Sequence, residues 1–188
     1  PAPYGRTTRW APVVTPERSW ASAGTPYVLA ILRILYGILW LQQAKWKVPP
    51  DFGMASNGGL FYWTQEMAKY SMLPPHRFFV ESVVLPNFLL FAWLTLLTEL
   101  FIGFSHLLGV LGRLGALVAL GMSANLLVGL IRHPSEWPWS YVMLVGYALV
   151  FLSTHPGRVI GLDGWLARRL GAPALANRPW ARALGFLT

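Results

Sequence analysis

Among the residues of this chain that could do chemistry, the first is Glu99. It lies near the middle of Asn87–Val110, NFLLFAWLTLLTELFIGFSHLLGV, an otherwise apolar run. An ionised carboxylate at the centre of a membrane span costs ~2.5 kcal/mol or more, so Glu99 is expected to be neutral or turned inward toward a partner. Arg33, Asn125 and Tyr147 also fall inside apolar runs. Two readings fit these residues. In one, Glu99 and Arg33 form a buried pair that fixes helix register, with Asn125 as interhelical glue. In the other they make a proton or quinone site. Glu99 then relays the proton, Arg33 holds Glu99 or the head group, and His106, Tyr147 and Asn125 are the quinone-binding candidates.

The histidines allow further chemistry. Thr95, Glu99 and His106 share one helical face. His106 and His155 fall on the same side of the membrane, where a His–His pair could ligate a haem, or one of them a chlorin. Nothing in the spacing demands it, and no metal site and no covalently bound cofactor are expected. His76 and His133, with Lys69, Arg77 and Arg132, lie in or beside the loops, as a basic surface for an anion or as solvated loop residues. Phosphate-binding loops, dinucleotide fingerprints, Ser-His-Asp signatures and metalloprotease helix motifs do not occur.

The elements that carry these residues are apolar helices. The sequence has 188 residues, 55% hydrophobic and 12% charged, where a soluble domain carries about a quarter charged residues. This places the chain among integral membrane proteins as an all-α bundle of four transmembrane helices. Runs of at least ~18 apolar residues cross a bilayer. The spans expected are 27–43, 87–110, 114–131 and 138–154. Around them lie a Pro/Trp/Arg-rich extension over 1–26, an outer loop over 44–86 and a basic tail over 157–188. The first residues have no apolar core of a cleavable signal. In the loop, Leu60, Trp63, Met67 and Tyr70 recur at helical spacing and predict a helix on the membrane surface or capping the bundle. WLARRL at 165–170 predicts an interfacial basic helix, and the tail repeats that character. Lys45, Trp46 and Lys47 read as an interfacial anchor, the lysines snorkelling to the head groups.

Charge sets the expected orientation. Lys plus Arg exceed Asp plus Glu by fifteen to seven, with a net charge of +8. Most of the basic residues sit in the termini and beside the spans, which suits lipid head groups and not nucleic acid. Nine of them (Arg6, Arg9, Arg18, Arg113, Arg158, Arg168, Arg169, Arg178 and Arg182) fall on one side and five on the other. The richer side carries both termini, which are therefore expected in the cytoplasm. With no cysteine, disulfides and thiolate metal sites are excluded. On adjacent antiparallel spans, Glu99 and Asn125 should share one depth, in a polar layer fed by all four helices.

Several segments resemble the DoxX-like family of small four-helix membrane proteins. Arg33 and Gly37, followed by Lys45 and Lys47, resemble its opening. Glu99, Gly103, Leu108, Gly109 and Arg113 resemble its central E…G…LLG…R signature. Gly157, Arg158, Gly161, Leu162 and Asp163 resemble its closing G-R-x-x-G-L-D element. The outer loop and Trp137-Pro138-Trp139-Ser140-Tyr141 look most like the DoxD-type membrane subunit of thiosulfate:quinone oxidoreductase. The resemblance covers roughly residues 30–166. It implies a bacterial or archaeal plasma-membrane protein near the quinone pool. In that enzyme thiosulfate is oxidised to tetrathionate, a quinone is reduced and a second small subunit takes part. Arg113, Gly157, Arg158 and Asp163 would then be family-motif residues. The alternative is a non-catalytic accessory subunit of a larger respiratory or photosynthetic complex, whose termini bind lipid, pigment or a neighbouring protein.

Overall fold

A computed structural model describes residues 20–170 and 178–187. The extension expected over 1–26 lies outside these up to residue 19, as do 171–177 of the tail. Every regular element among the described residues is helical. In chain order these are α1 (Trp20–Ala44), α2 (Gly59–Tyr70), α3 (Pro74–Phe79), α4 (Phe88–Leu108), α5 (Gly112–Leu130), α6 (Pro138–Thr154), α7 (Leu162–Leu170) and α8 (Pro179–Leu187). A π turn, Val80–Val84, continues α3, and a 3₁₀ turn, Pro156–Arg158, follows α6. Gly24–Ala44, α4 and α5 are each long and apolar enough to cross a membrane, while α6 is a shorter apolar helix of 17 residues. At ~1.5 Å per residue α6 is ~25 Å long.

The large side chains on the outside of these helices are apolar. Leu90, Leu94 and Leu97 on α4, Val28 and Ile31 on α1, Leu117 on α5 and Val142 and Leu149 on α6 are all exposed. Contiguous exposed apolar surface on this scale marks a membrane or partner face. With the lengths above, it makes the chain a multi-pass membrane protein.

Helix pairing follows the small residues. α1 packs along α4 and α5 along α6, and α4 joins the two pairs. The first contact depends on Gly37, where an added Cβ would stand 2.6 Å from the backbone nitrogen of Leu107 and 2.8 Å from the Gly103 carbonyl. Ala116, Ala119 and Ala148 are fully buried and bring α5 and α6 together, as small residues do in membrane bundles. Pro138 occupies the first turn of α6, where its missing N–H loses nothing. α4 ends on Gly109 in the left-handed region, φ +63°, which a glycine adopts without strain.

The end of α1, the start of α4, the end of α5 and the start of α6 make one end of the bundle, called here the loop end. α2 closes it. Met67 lies over Gly129 of α5, and the Met72 N–H donates to the Val128 carbonyl at 2.9 Å. Phe52 from the preceding loop is buried with Ala44, Phe88, Ala92 and Leu96, its ring edge-on to Trp93. At the other end, α7 and α8 pack against each other.

Candidate functional site

A cavity of about 740 Å³ occupies the loop-end half of the bundle. Ligand pockets for drug-sized molecules run from roughly 300 to 1,000 Å³. Its wall is mainly apolar and aromatic, and α1, α2, α4, α5 and α6 all contribute. The polar side chains on it are Gln43, Lys47, Thr64, Thr95, Glu99, Asn125, Glu136, Ser140 and the three tyrosines Tyr36, Tyr141 and Tyr147.

Lys47 and Glu99 form the charged centre. Lys47 Nζ lies 2.6 Å from Glu99 Oε2, and the two side chains are 3% and 5% exposed. This differs from both expectations for these residues. Lys47 was expected to snorkel outward, and the partner foreseen for Glu99 was Arg33. The cause lies in the turn after α1, where the Lys47 N–H donates to the Ala44 carbonyl at 3.2 Å and swings the side chain inward. Lys47 Nζ also donates to the Gln43 carbonyl at 2.8 Å. Burial pulls the Lys47 ammonium below the ordinary lysine range, and the Glu99 carboxylate beside it pulls the other way. One sequence signal pointed there. Arg33, Tyr36, Trp40, Ala44 and Lys47, all buried, recur at helical spacing, so the inward face of α1 runs past its last turn.

Asn125 and Tyr147 line the same cavity as Glu99. Asn125 Oδ1 lies 3.1 Å from His76 Nε2, and its amide nitrogen faces Met67 Sδ at 3.9 Å. At the loop end, the Tyr141 hydroxyl donates to Glu136 Oε2 at 2.7 Å. His133, buried, makes a 3.0 Å contact with Glu66, so neither His76 nor His133 belongs to a free basic surface.

Arg33 and His106 are not among the residues that line the cavity and lie behind its wall. The His106 ring is fully buried with Nδ1 2.9 Å from the Ile102 carbonyl, and Nε2 is without a hydrogen-bond partner. Tyr36, a lining residue, packs edge-on against that ring at 5.1 Å and stands between it and the cavity. Arg33 donates from Nη1 to the His106 carbonyl and from Nη2 to the Ile160 carbonyl. The polar layer foreseen in the sequence is therefore divided into a cavity group (Lys47, Glu99, Asn125, Tyr147) and a deeper group (Arg33, His106).

The deeper group joins a clasp built from the closing motif. Asp163 is buried and accepts from the N–H groups of Leu111 at 2.7 Å and Gly112 at 2.8 Å, capping the start of α5. Burial raises the Asp163 carboxyl, and the Gly112 and Leu111 N–H groups and the Arg33 charge oppose it. A Cβ on Gly157 would stand 2.5 Å from Asp163 Oδ2, and one on Gly161 would stand 2.9 Å from the Gly109 Cα. Arg113 donates to the Leu152 and Phe186 carbonyls, both at 3.3 Å, with its guanidinium 4.3 Å from the Phe186 ring. Arg158 donates to the Gly185 carbonyl at 2.9 Å. His155 ends α6 in the left-handed region, φ 50°. Each motif residue thus holds α7 or α8 to the ends of α5 and α6 or sits in that contact.

A helical membrane bundle with a mostly apolar cavity and a buried ion pair on its wall is the class that fold and site define. Residues 28–180 match the family model described as TQO small subunit DoxD, and the chain belongs to that family. No curated protein and no solved structure matches it.

Proposed function

We propose that the chain is the membrane subunit of a thiosulfate:quinone oxidoreductase and that its cavity receives the quinone head group. The observation that carries this reading is the Lys47–Glu99 pair, 2.6 Å apart on the wall of an otherwise largely apolar cavity. A quinone head group is flat and apolar but for two carbonyl oxygens. It needs an apolar slot, a few hydrogen-bond donors and a proton source. Lys47, Asn125 and Tyr147 supply donors, and the ion pair supplies an exchangeable proton. Two thiosulfates yielding tetrathionate release two electrons, and a quinone taking up two electrons and two protons becomes a quinol. Lys47 gives its ammonium proton to a quinone oxygen, and Glu99 relays each replacement proton from the loop end, so that the two protons pass through the pair one at a time. Arg33 and His106 act as positioning residues, holding α1 to α4 beneath the cavity.

In this reading α6 is a fourth span, and both termini lie in the cytoplasm of a bacterial or archaeal cell. α2, α7 and α8 then lie at the two interfaces, and the second small subunit is the protein partner alongside the membrane lipids. The exposed Trp137 and Trp139 before and within the first turn of α6 support this, since indoles favour the head-group level. The test is thiosulfate-dependent quinone reduction by membranes containing this chain and its partner. Glu99→Gln should abolish turnover while the subunit still assembles, and unchanged turnover would remove the assignment.

A further inference from the structure

One amide on the cavity wall has its orientation fixed by a neighbour that can only donate. Gln43, in the last turn of α1, lines the cavity and is exposed. Its side-chain oxygen accepts from Trp46 Nε1 at 3.1 Å. An indole nitrogen has a hydrogen to give and accepts nothing, whereas an amide carries an accepting oxygen and a donating NH₂. The atom facing the indole must therefore be the oxygen, and the NH₂ is turned away from it. That NH₂ makes no hydrogen bond among the described residues.

The same turn holds Lys47. Its Nζ donates to the Gln43 backbone carbonyl at 2.8 Å, lies 2.6 Å from Glu99 Oε2 and stands 4.1 Å from the centre of the Trp46 ring. An ammonium has three hydrogens, so one remains beyond these two oxygen acceptors. Trp46 thus acts on both donors, with its face on the ammonium and its N–H on the amide oxygen. All three residues line the cavity.

We propose that Gln43 binds the ligand through its amide NH₂, donating to the same carbonyl oxygen that faces Lys47, and that Trp46 is a positioning residue that keeps this NH₂ on offer. The inference rests on the quinone reading above and deepens it. A carbonyl oxygen has two lone pairs, so a bond from the ammonium leaves room for one from the amide. The two donors differ in kind. The ammonium proton can be given up, while the amide keeps its hydrogens and goes on holding the oxygen as that oxygen takes up a proton. Without the Trp46 N–H the amide turns freely, and its own oxygen, which repels a carbonyl, takes the place of the NH₂ part of the time. The site thereby selects a ring that carries an acceptor oxygen beside Lys47.

The experiment uses the full chain, purified in lipid nanodiscs with the subunits that accompany it, and a decyl-substituted benzoquinone as the probe. Gln43→Leu, Trp46→Phe and the double variant are compared with the wild type. All of them keep the backbone carbonyl that accepts from Lys47 and an aromatic ring beside the ammonium. Gln43→Leu should raise Kd about tenfold, the worth of one hydrogen bond. Its bound quinone should also show a carbonyl stretch shifted upward, since a hydrogen bond lowers that frequency. Trp46→Phe should raise Kd about two- to threefold, because a free amide presents its NH₂ only part of the time. In the double variant Trp46→Phe should add nothing to Gln43→Leu, which a merely structural role of the indole would not produce. A carbonyl stretch that does not move in Gln43→Leu overturns this inference and leaves the quinone reading in place. So does a Trp46→Phe effect as large in the double variant as alone. Failure of the probe to bind the wild type overturns both.

Discussion

Lys47 Nζ and Glu99 Oε2 are 2.6 Å apart, sealed from solvent, and belong to parts of the chain 52 positions apart in sequence. Their contact ties the end of α1 to the middle of α4. Two buried charges are stable only together, because each repays the other's desolvation. Removing one strands the other at a cost of about 3–5 kcal/mol, while replacing both with apolar residues of similar size is close to neutral. Lys47→Met should therefore lower the melting temperature of the purified protein sharply, and Lys47→Met with Glu99→Leu should recover most of the loss. A double variant no more stable than the single one would show that the pair does not hold this contact. On the quinone reading, quinone reduction should be lost in both.

The closing motif gives a second prediction, about assembly and not turnover. Asp163 accepts two backbone N–H bonds at the start of α5, so Asp163→Ala leaves those donors without an acceptor and removes a negative charge that favours the buried Arg33 guanidinium. The expected loss is on the order of 3 kcal/mol, from two charge-assisted hydrogen bonds less partial rehydration. Gly109→Ala should weaken the same clasp. It adds a Cβ 2.7 Å from Arg33 Nη1 at a φ of +63°, strained for an L-residue. Both are read as faster proteolysis of the α7–α8 region, and an unchanged cleavage pattern would contradict the clasp.

The long apolar helices were legible because apolar runs of that length carry a strong signal. Pro138–Thr154 was expected as drawn, and α4 and α5 lie within two residues of their expected limits at each end. α1 begins earlier than expected, with Pro26 inside the helix and not at its boundary. Glu99 was legible as a buried group, since its cost in lipid requires shelter. Its partner was not. Lys47 follows three residues after the last helical position, and only the backbone turn there decides whether the ammonium points out or in. Arg33 was hidden for another reason. Its acceptors are the carbonyls of His106 and Ile160, and a backbone carbonyl leaves no mark on the sequence. His76 looked like a loop residue because the helix that carries it to Asn125 is only six residues long, with two prolines at its start.

His155 gives a pH prediction. Burial, then the charges of Arg113 and Arg158, hold its imidazole below the ordinary histidine value. The folded protein therefore keeps His155 neutral in a range where the unfolded chain already takes up a proton. Stability from this group is present above about pH 6.5 and is lost as the pH falls below it. His155→Asn keeps a residue suited to the left-handed region and removes the titration. The melting temperature of the wild type should fall further between pH 7.5 and 5.5, as approximate test values bracketing that range, than that of His155→Asn. Equal falls would assign the acid sensitivity elsewhere.

The last prediction concerns the route into the cavity. Below it, Tyr36 joins α1 to α6, donating to the Leu144 carbonyl at 3.2 Å and packing against Tyr147 and Phe151. Toward the loop end, Leu39 and Trp46 near the end of α1 and Trp139 and Met143 on α6 line the cavity and are also exposed on the outside. The cavity wall therefore continues onto the apolar face between α1 and α6. A quinone with a long isoprenoid tail would keep the tail in lipid and admit only its head group by this route. Met143→Trp narrows the opening without touching Lys47, Glu99 or Asn125. On the quinone reading it should raise KM for a long-tailed quinone by about tenfold, ~1.4 kcal/mol, and change KM for a tail-less benzoquinone much less. An equal rise for both would place the entrance elsewhere, because a head group small enough to come through the loop end has no need of the gap between the helices.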